Sequence, residues 1–259
     1  MAGNIVGFYE ELADFYHLIF EDWDSALERQ AKILGHLLTV EIDGGLLRVL
    51  DCACGIGTQA IGLARAGHQV VASDLSEAAI SRGQREARQR GLSISFRVSD
   101  MTSLNEIDES DFDAVIAVDN ALPHLSSGQL GQAVAAMAAK LKPNGLFMAS
   151  IRDYDQLSLE RPAVQRPIFF GRPGSRRIVH QVWDWADSTA EDARYVLHLY
   201  ITLESEREWT AHHFVSEYRC LLRDEVSAAL ATSGFEDIRW LMPRETGFYQ
   251  PIVLAKLSW

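Results

Sequence analysis

The chain has 259 residues, 47% of them hydrophobic, and carries a formal net charge of −12 at pH 7. This acidity argues against a nucleic-acid partner, because such binding gains much of its affinity by neutralising phosphates with basic residues. The three cysteines are too few for a disulfide framework, no apolar run reaches membrane-spanning length, and the first residues lack the pattern of a secretion signal. We therefore expect a cytoplasmic protein without a membrane partner, built as one α/β domain with an insertion.

Two helices are predicted at the start of the chain, within residues 1–45. Apolar side chains recur every three or four residues on both sides of a polar break at residues 22–25. We interpret this part as an N-terminal helical cap whose aromatic side chains either pack on the core or close over a ligand. The repeating apolar positions are Phe8, Leu12, Phe15, Tyr16 and Ile19, followed by Leu27, Ile33, Leu34, Leu37 and Leu38.

From residue 46 to residue 151, short apolar runs alternate with amphipathic helices. This alternation is typical of a parallel sheet with right-handed crossovers, and we expect it to be the ligand-binding core. The predicted strands are 46–52, 69–73, 93–98, 112–118 and 145–151, and the predicted helices are 58–65, 76–90 and 126–141. The Pro-Asn-Gly sequence at 143–145 predicts a turn into the fifth strand.

The pattern changes between residues 152 and 220. Strand-like segments at 179–185, 195–204 and 209–215 predict an antiparallel insertion that forms a lid or a surface for substrate or partner. Five arginines lie between residues 161 and 177 without any acid; we expect a solvated loop, which could also attract an anionic substrate or a neighbouring subunit. Residues 221–259 then complete the core, with a helix at 223–233 and strands at 235–241 and 249–257.

The turn after the first predicted strand is the candidate ligand cradle. Asp51 closes the strand, and the small residues Ala53, Gly55 and Gly57 follow it, while Thr58 is placed to cap the next helix. Glycine permits positive φ and lets backbone amides approach a ligand, but many α/β proteins have such a turn without binding anything there. An acid at the turn suits an ammonium group and repels a pyrophosphate, which disfavours a dinucleotide.

Acids at the ends of the second and third strands favour a nucleoside. Asp74 can accept hydrogen bonds from both hydroxyls of a ribose, and Asp100 can accept one from an exocyclic amine, with Met101 against the base. Either aspartate alone is more often a helix cap, but the pair at successive strand ends favours a ligand. A nucleoside that also carries an amino acid is S-adenosylmethionine.

Several segments together resemble the motifs of class I S-adenosylmethionine-dependent methyltransferases over residues 46–151. The flanking segments extend the resemblance to glycine N-methyltransferases and bacterial glycine/sarcosine N-methyltransferases. This resemblance implies an α/β, Rossmann-like, seven-stranded methyltransferase sheet with an N-terminal helical cap and an antiparallel β insertion. It also implies S-adenosylmethionine as cofactor, S-adenosylhomocysteine as product and no metal. The core segments are VLDCACGIG, SDLS, SDM and LKPNGLF, with Ala53 in place of the usual first glycine; the flanking ones are FYEELADFYHLIFEDWDSALERQ, VDNALPHL, IRDYDQL and RETGFYQPIV.

The resemblance assigns roles to individual residues. The implied cofactor-binding set comprises Tyr9, Trp23, Arg29, Asp51, Ala53, Gly55, Gly57, Asp74, Leu75, Asp100, Met101 and Asp119, with Arg29 against the cofactor carboxylate. The implied catalytic and substrate-facing set comprises Asn120, Arg152, Tyr200 and His124.

Physical reasoning supports part of the second set. Arg152 directly follows the fifth strand and can grip a carboxylate bidentately, although an ion pair with Asp153 or Asp155 would be equally ordinary. Asn120 follows the fourth strand, where its amide could orient an amine or simply make a turn. His124 could bind the polar end of the cofactor or relay a proton, and it could equally be an ordinary loop histidine.

We therefore predict an N-methyltransferase that acts on a small amino acid such as glycine or sarcosine. A homo-oligomer is a possible assembly. One alternative is a methyltransferase for another small molecule, with a hydroxyl or amine acceptor, which a larger apolar pocket beneath the insertion would favour. A second is a protein that binds the cofactor as a sensor without turnover. His212 and His213 are expected on opposite faces of a strand, so that they cannot share a metal there.

Overall fold

A computed structural model describes residues 5–187, 193–206 and 208–258 as two sheets flanked by helices. The strands are β1 Arg48–Asp51, β2 Gln69–Asp74, β3 Ser95–Val98, β4 Phe112–Ala117, β5 Leu141–Ser150, β6 Val164–Phe170, β7 Arg177–Trp185, β8 Arg194–Ser205, β9 Glu208–Arg219, β10 Phe235–Leu241 and β11 Ile252–Leu257. The helices are α1 Ile5–Leu12, α2 Trp23–Glu41, α3 Thr58–Arg65, α4 Glu77–Gln89, α5 Ser127–Ala138, α6 Tyr154–Glu160, α7 Arg223–Thr232 and α8 Pro243–Thr246. Within these residues no helix has the length and apolar character needed to cross a bilayer.

The larger sheet has seven strands in the order β10-β11-β5-β4-β1-β2-β3. Strands β1 to β5 pair in parallel, whereas β11 runs antiparallel between β5 and β10. Successive side chains of the central strands enter opposite halves of the core, as Val49 and Leu50 do in β1. The predicted seven-stranded sheet is therefore confirmed, and its parallel strands bring their carboxyl ends to one edge.

The ends of two strands differ from the prediction. Strand β1 begins only at Arg48, and Leu46, which the prediction included in the buried strand, is 72% exposed. Strand β5 begins earlier, at Leu141, so the predicted turn at 143–145 lies inside the strand. There the partners of β4 jump from Leu141 to Leu146, with Asn144 at φ +60°, which makes the segment a bulge rather than a turn into the strand.

The smaller sheet is the predicted antiparallel insertion, with strand order β6-β7-β8-β9. The prediction missed helix α6 and strand β6, and part of the arginine-rich segment expected to be a loop is β6 itself. Pro167 interrupts this edge strand, and Ile168 and Phe169 are both exposed, so the strand lacks the in-out alternation that marks a half-buried strand. Arg177, at the start of β7, donates to the backbone carbonyl of Phe20 and so joins this sheet to the N-terminal segment.

Helix α3 begins without the predicted side-chain cap. Gly57 at φ +93° precedes the helix, and the Thr58 hydroxyl, expected to cap it, instead accepts a hydrogen bond from Trp23 Nε1 at 3.1 Å. That bond fixes α2 against α3. The two helices also meet at Gly62, where a Cβ atom would lie 2.8 Å from both the Ala31 Cβ and the Leu27 carbonyl oxygen.

Gly62→Ala is therefore expected to destabilise the protein by about 1–3 kcal/mol, because the added methyl group overpacks the contact between two helices. The matched control is Gly131→Ala in α5, where an added Cβ would meet nothing within 4 Å. The control should raise stability by about 0.4–1 kcal/mol through the lower entropy of the unfolded chain. Urea-induced unfolding measures both changes, and a stable Gly62→Ala variant would contradict the close packing.

Candidate functional site

Two cavities lie side by side at the carboxyl edge of the larger sheet. The smaller cavity, of about 160 Å³, is lined by the cradle after β1 and by the residues that follow β2 and β3. The larger cavity, of about 640 Å³, extends beneath the four-stranded sheet and the N-terminal helices. Tyr9, Tyr16 and Asp119 line both cavities, and we call these three residues the seam.

The cradle has the backbone shape that its glycines predict. Gly55 and Gly57 both have positive φ, at +53° and +93°. The Asp74 carboxylate accepts hydrogen bonds from the backbone amides of Gly55 and Ser76, at 2.8 and 2.9 Å, and so holds the first two strand-end loops together. Burial raises the pKa of this carboxyl group. Asp74 thus shapes the cradle and also faces the smaller cavity.

Asp51 is a fully buried acid whose charge is poorly compensated. Its Oδ1 accepts one long hydrogen bond of 3.4 Å from the Ala53 amide, and its Oδ2 has no partner within the described part of the chain. Burial raises the pKa of Asp51 to about 7. A buried carboxylate oxygen without a donor suits an ammonium group, which would supply both charge and hydrogen bonds.

The predicted cofactor-binding residues divide into two groups. Trp23 is buried between Thr58 and Arg90, whose guanidinium lies 5.1 Å from its ring, so it belongs to the packing of α2. Arg29 is exposed on α2 and lines the larger cavity, whereas Asp51, which is fully buried, and Gly57, which precedes α3, line neither cavity. The predicted cofactor-binding residues that line the smaller cavity are Tyr9, Ala53, Gly55, Asp74, Leu75, Asp100, Met101 and Asp119.

Arg152 is a partly buried cation that lines the larger cavity. Its Nη1 donates to the Tyr195 hydroxyl at 2.5 Å, and its guanidinium packs 4.9 Å from the Trp183 ring and 5.3 Å from the Tyr218 ring. In residues 5–187, 193–206 and 208–258 no carboxylate lies within 4 Å of it. The neighbouring acids that could have paired with it, Asp153 and Asp155, instead contact Arg223.

Asn120 connects the ends of two strands. Its side chain is almost fully buried; Oδ1 accepts from the Arg152 backbone amide at 3.0 Å and Nδ2 donates to the Tyr154 hydroxyl at 3.0 Å. The Tyr154 hydroxyl also contacts that of Tyr195, at 3.1 Å. Asn120 therefore helps to position Arg152, and it lines the larger cavity beside it.

His124 lines the smaller cavity and contacts the seam. Its Nε2 lies 2.9 Å from the Tyr9 hydroxyl, and its ring packs 4.1 Å from that of Tyr218. Burial lowers the pKa of His124 to about 4 and raises the pKa of Tyr9. At pH 7 the imidazole and the phenol thus form a neutral, hydrogen-bonded pair.

Tyr200 lies away from both cavities. It is stacked between His180, at 4.9 Å, and His213, at 4.4 Å, on the face of the small sheet opposite Leu199. The His212 ring lies on the other face, 4.3 Å from Phe15, which confirms the prediction that the two adjacent histidines point apart. In the part of the chain that the structure describes, no three histidine, cysteine or acidic side chains are grouped to hold a metal.

Sequence reasoning gave no role to several tyrosines that line or support the site. Tyr16 and Tyr249 both donate to the Asp119 carboxylate, and Tyr154, Tyr195 and Tyr218 surround Arg152. Tyr16 and Tyr249 stand in segments that carry the resemblance, so those motifs were a signal for them. Tyr195 and Tyr218 lie on insertion strands, and their alternation with polar neighbours indicates only that they are buried.

Comparison with known proteins gives one matching family model and partial relatives. Residues 49–145 match a family described as a methyltransferase domain. A glycine/sarcosine N-methyltransferase from Parasynechococcus marenigrum is 34% identical over 137 residues, which are 52% of this chain and 48% of that protein. A ubiquinone biosynthesis O-methyltransferase from Bradyrhizobium diazoefficiens is 37% identical over 107 residues, 41% of this chain and 40% of that protein. The chain thus spans half or less of the length of these curated relatives.

The whole fold has close counterparts among solved structures. A crystal structure of an S-adenosylmethionine-dependent methyltransferase from Clostridium acetobutylicum superposes with a TM-score of 0.73 at 18% identity. The superposition covers 90% of this chain and 92% of that protein, so it includes both sheets. At this identity the likeness shows a shared fold.

Proposed function

We propose that this chain, whose residues 49–145 match a methyltransferase domain family, uses S-adenosylmethionine to methylate the nitrogen of a small amine that also carries a carboxylate, such as glycine or sarcosine. The observation that carries this proposal is Arg152, a partly buried guanidinium that lines the larger cavity and has no carboxylate partner within the described residues. A buried cation without a counter-ion is costly, so its retention favours an anionic ligand group. The glycine/sarcosine N-methyltransferase relative supports the same acceptor class.

The smaller cavity fits the methyl donor. Asp51 is fully buried directly before the lining residue Cys52, and its oxygen that lacks a partner among the described residues would hold the ammonium group of S-adenosylmethionine. Asp74, which lines the cavity, would accept from the ribose hydroxyls. Asp100 and Met101 would contact the adenine base. When bound, S-adenosylmethionine supplies an electrophilic methyl group on a positively charged sulfur.

The protein's own contribution would be alignment, water exclusion and control of one proton. The seam residues line both cavities, so with both ligands bound they would surround the reacting nitrogen. The neutral imidazole of His124 can accept the Tyr9 hydroxyl proton in a hydrogen bond, which leaves the phenol oxygen free to accept from an amine N–H. Tyr9 would thereby orient the nitrogen lone pair towards the smaller cavity. We assign the reaction to the cytoplasm, where the three buried cysteines stay as free thiols.

The direct test is methyl transfer from isotopically labelled S-adenosylmethionine to a panel of amines. We expect transfer to at least one amino acid and none to the matching amine that lacks the carboxylate. Transfer to the amine without a carboxylate, at a similar rate, would contradict the role of Arg152. Binding of S-adenosylmethionine without transfer to any acceptor would instead favour a sensor.

The size of the larger cavity favours a second candidate, a methyltransferase for a larger small molecule. A cavity of about 640 Å³ is in the range that encloses drug-sized ligands, whereas glycine has only a few heavy atoms. Apolar side chains such as Leu12, Ile19 and Leu199 line much of it. The same assay with larger amines and phenols tests this candidate, and a kcat/KM for any of them well above that for glycine and sarcosine would support it.

A further inference from the structure

Asp119 lies in a turn of two consecutive residues with left-handed backbone conformation. Asp119 and Asn120 directly follow β4 and have φ values of +64° and +68°, the left-handed region that L-residues rarely occupy. The turn is held from β5, where the Ser150 hydroxyl accepts from the Asp119 amide at 2.7 Å and the Ser150 carbonyl accepts from the Asn120 amide at 3.1 Å. The Ser150 hydroxyl donates in turn to Gln250 Oε1 at 2.8 Å. Two consecutive strained residues, held this firmly at a cavity edge, indicate a functional constraint.

The turn presents the Asp119 carboxylate to both cavities. Asp119 is the acid that the linings of the two cavities share among the described residues. Its Oδ2 accepts from the Tyr16 hydroxyl at 2.8 Å, and its Oδ1 accepts from the Tyr249 hydroxyl. A carboxylate has about four acceptor positions, so two phenols leave capacity for further donors. Within residues 5–187, 193–206 and 208–258 it has no lysine, arginine or histidine within 4 Å.

The surroundings of Asp119 are those of a site for an organic cation. Tyr9 and Tyr16 line both cavities beside it, and Tyr249 lines the larger one. A carboxylate surrounded by phenol oxygens attracts an ammonium group through charge and hydrogen bonding. Within the described residues, the wall of the larger cavity therefore contains an anion without an ionic partner, Asp119, and a cation without one, Arg152. A zwitterion, which carries one charge of each sign, would complement these two groups.

We propose that Asp119, with Tyr9, Tyr16 and Tyr249, binds the ammonium group of the methyl acceptor and of its methylated product. This inference rests on the proposed N-methylation and narrows its substrate class to amines that are cations in solution, which excludes neutral hydroxyl acceptors. Each methylation step leaves the nitrogen able to carry a positive charge, so the same site would hold mono-, di- and trimethylated forms. An ammonium bound at the seam lies next to Tyr9, whose oxygen can take the N–H proton that must leave before transfer as the Tyr9 hydroxyl proton moves to His124 Nε2.

A pair of isosteric probes tests the site without any turnover. N,N,N-trimethylglycine and 3,3-dimethylbutanoate have the same shape and carboxylate, but only the first has a positive nitrogen in place of a carbon. We expect the wild-type protein, titrated calorimetrically with and without S-adenosylhomocysteine, to bind the cationic probe at least about tenfold more tightly. Asp119→Asn should reduce this preference to less than about twofold. Glu160→Gln, which removes the same charge at another position of the larger cavity, should keep it.

The wild-type comparison decides the proposal even if Asp119→Asn does not fold. Equal binding of the two probes, or no binding of either, would overturn an ammonium site at Asp119. If Glu160→Gln also loses the preference for the cationic probe, the site at Asp119 is overturned. The preference would then depend on the total charge of the cavity and not on Asp119. If the probes are discriminated through Asp119 but no amine is methylated, the ammonium site stands and the proposed function falls.

Discussion

Arg152→Met is expected to raise the KM for the amine acceptor about 100-fold or more, while the affinity for S-adenosylmethionine changes less than about twofold. Charge-assisted hydrogen bonds contribute roughly 1.5–3 kcal/mol each, and a bidentate guanidinium makes two of them to a carboxylate. The guanidinium lines the larger cavity and not the smaller one, which is why the effect should fall on one ligand. Steady-state kinetics with both substrates varied measures the two effects separately.

The same substitution should not destabilise the free protein. The substitution removes the cost of desolvating a charge that lacks an ionic partner, which offsets the loss of its hydrogen bond to Tyr195. Arg65→Met is the matched control, because neither Arg65 nor its partners Asp24 and Glu28 line a cavity, so both KM values should stay unchanged. Equal losses for donor and acceptor in Arg152→Met would mean that the two halves of the site are wrongly assigned.

Asp51→Asn is expected to weaken binding of S-adenosylhomocysteine by about 10- to 100-fold at pH 7 and to remove its pH dependence. Because burial raises the pKa of Asp51 to about 7, the carboxyl group is protonated at pH 5.5 and must ionise to hold an ammonium group. The wild-type affinity should therefore rise roughly tenfold between pH 5.5 and pH 7. Asp113→Asn is the control. Asp113 lies at the start of β4, away from the carboxyl edge of the sheet, and contacts Lys142. This substitution should change neither the affinity for S-adenosylhomocysteine nor its pH dependence.

Asp51→Asn should increase the stability of the ligand-free protein at neutral pH, although it weakens the binding of S-adenosylhomocysteine. The folded pKa of Asp51, about 7, is above its ordinary value of 3.8, so between these values the folded protein holds a proton that the unfolded chain has lost. The stability of the wild-type protein without ligand should thus fall as the pH rises from about 4 to about 7, by at most about 4 kcal/mol. Asp51→Asn should lack this loss and be the more stable protein at pH 8. Thermal unfolding from pH 4 to pH 8 measures the stability of both proteins. The same pH dependence in the two proteins would contradict the raised pKa of Asp51.

The core of the fold could be predicted because its signals are local. Buried parallel strands are short apolar runs, and the acids Asp74 and Asp100 mark where two of them end. The edge strand β6 was missed because both of its faces are exposed and Pro167 interrupts it, so it has no alternation to detect. The role of the Thr58 hydroxyl could not be predicted either, because it accepts a hydrogen bond from Trp23, which lies on another helix and far away in the sequence.

The acceptor side of the site was harder to predict because it depends on contacts between distant segments. Tyr200 has the pattern of a strand residue, but which face of that strand meets the core is decided by packing with the N-terminal helix. The same holds for Arg152, whose surroundings are supplied by strands β7, β8 and β9. Its position after the fifth strand was evident from the chain, whereas its lack of an acidic partner was not.

The division of the two cavities among chain segments has a consequence for how such a protein diversifies. The smaller cavity is lined mostly by residues 52–129, whereas the walls of the larger one come from both termini and the insertion. Mutations in these outer segments can remodel the acceptor pocket while the donor pocket is inherited intact. Among the described residues only the seam lines both cavities, so under the proposed function a chimera that exchanges residues 154–219 for those of a homologue should acquire a new methyl acceptor without losing its donor.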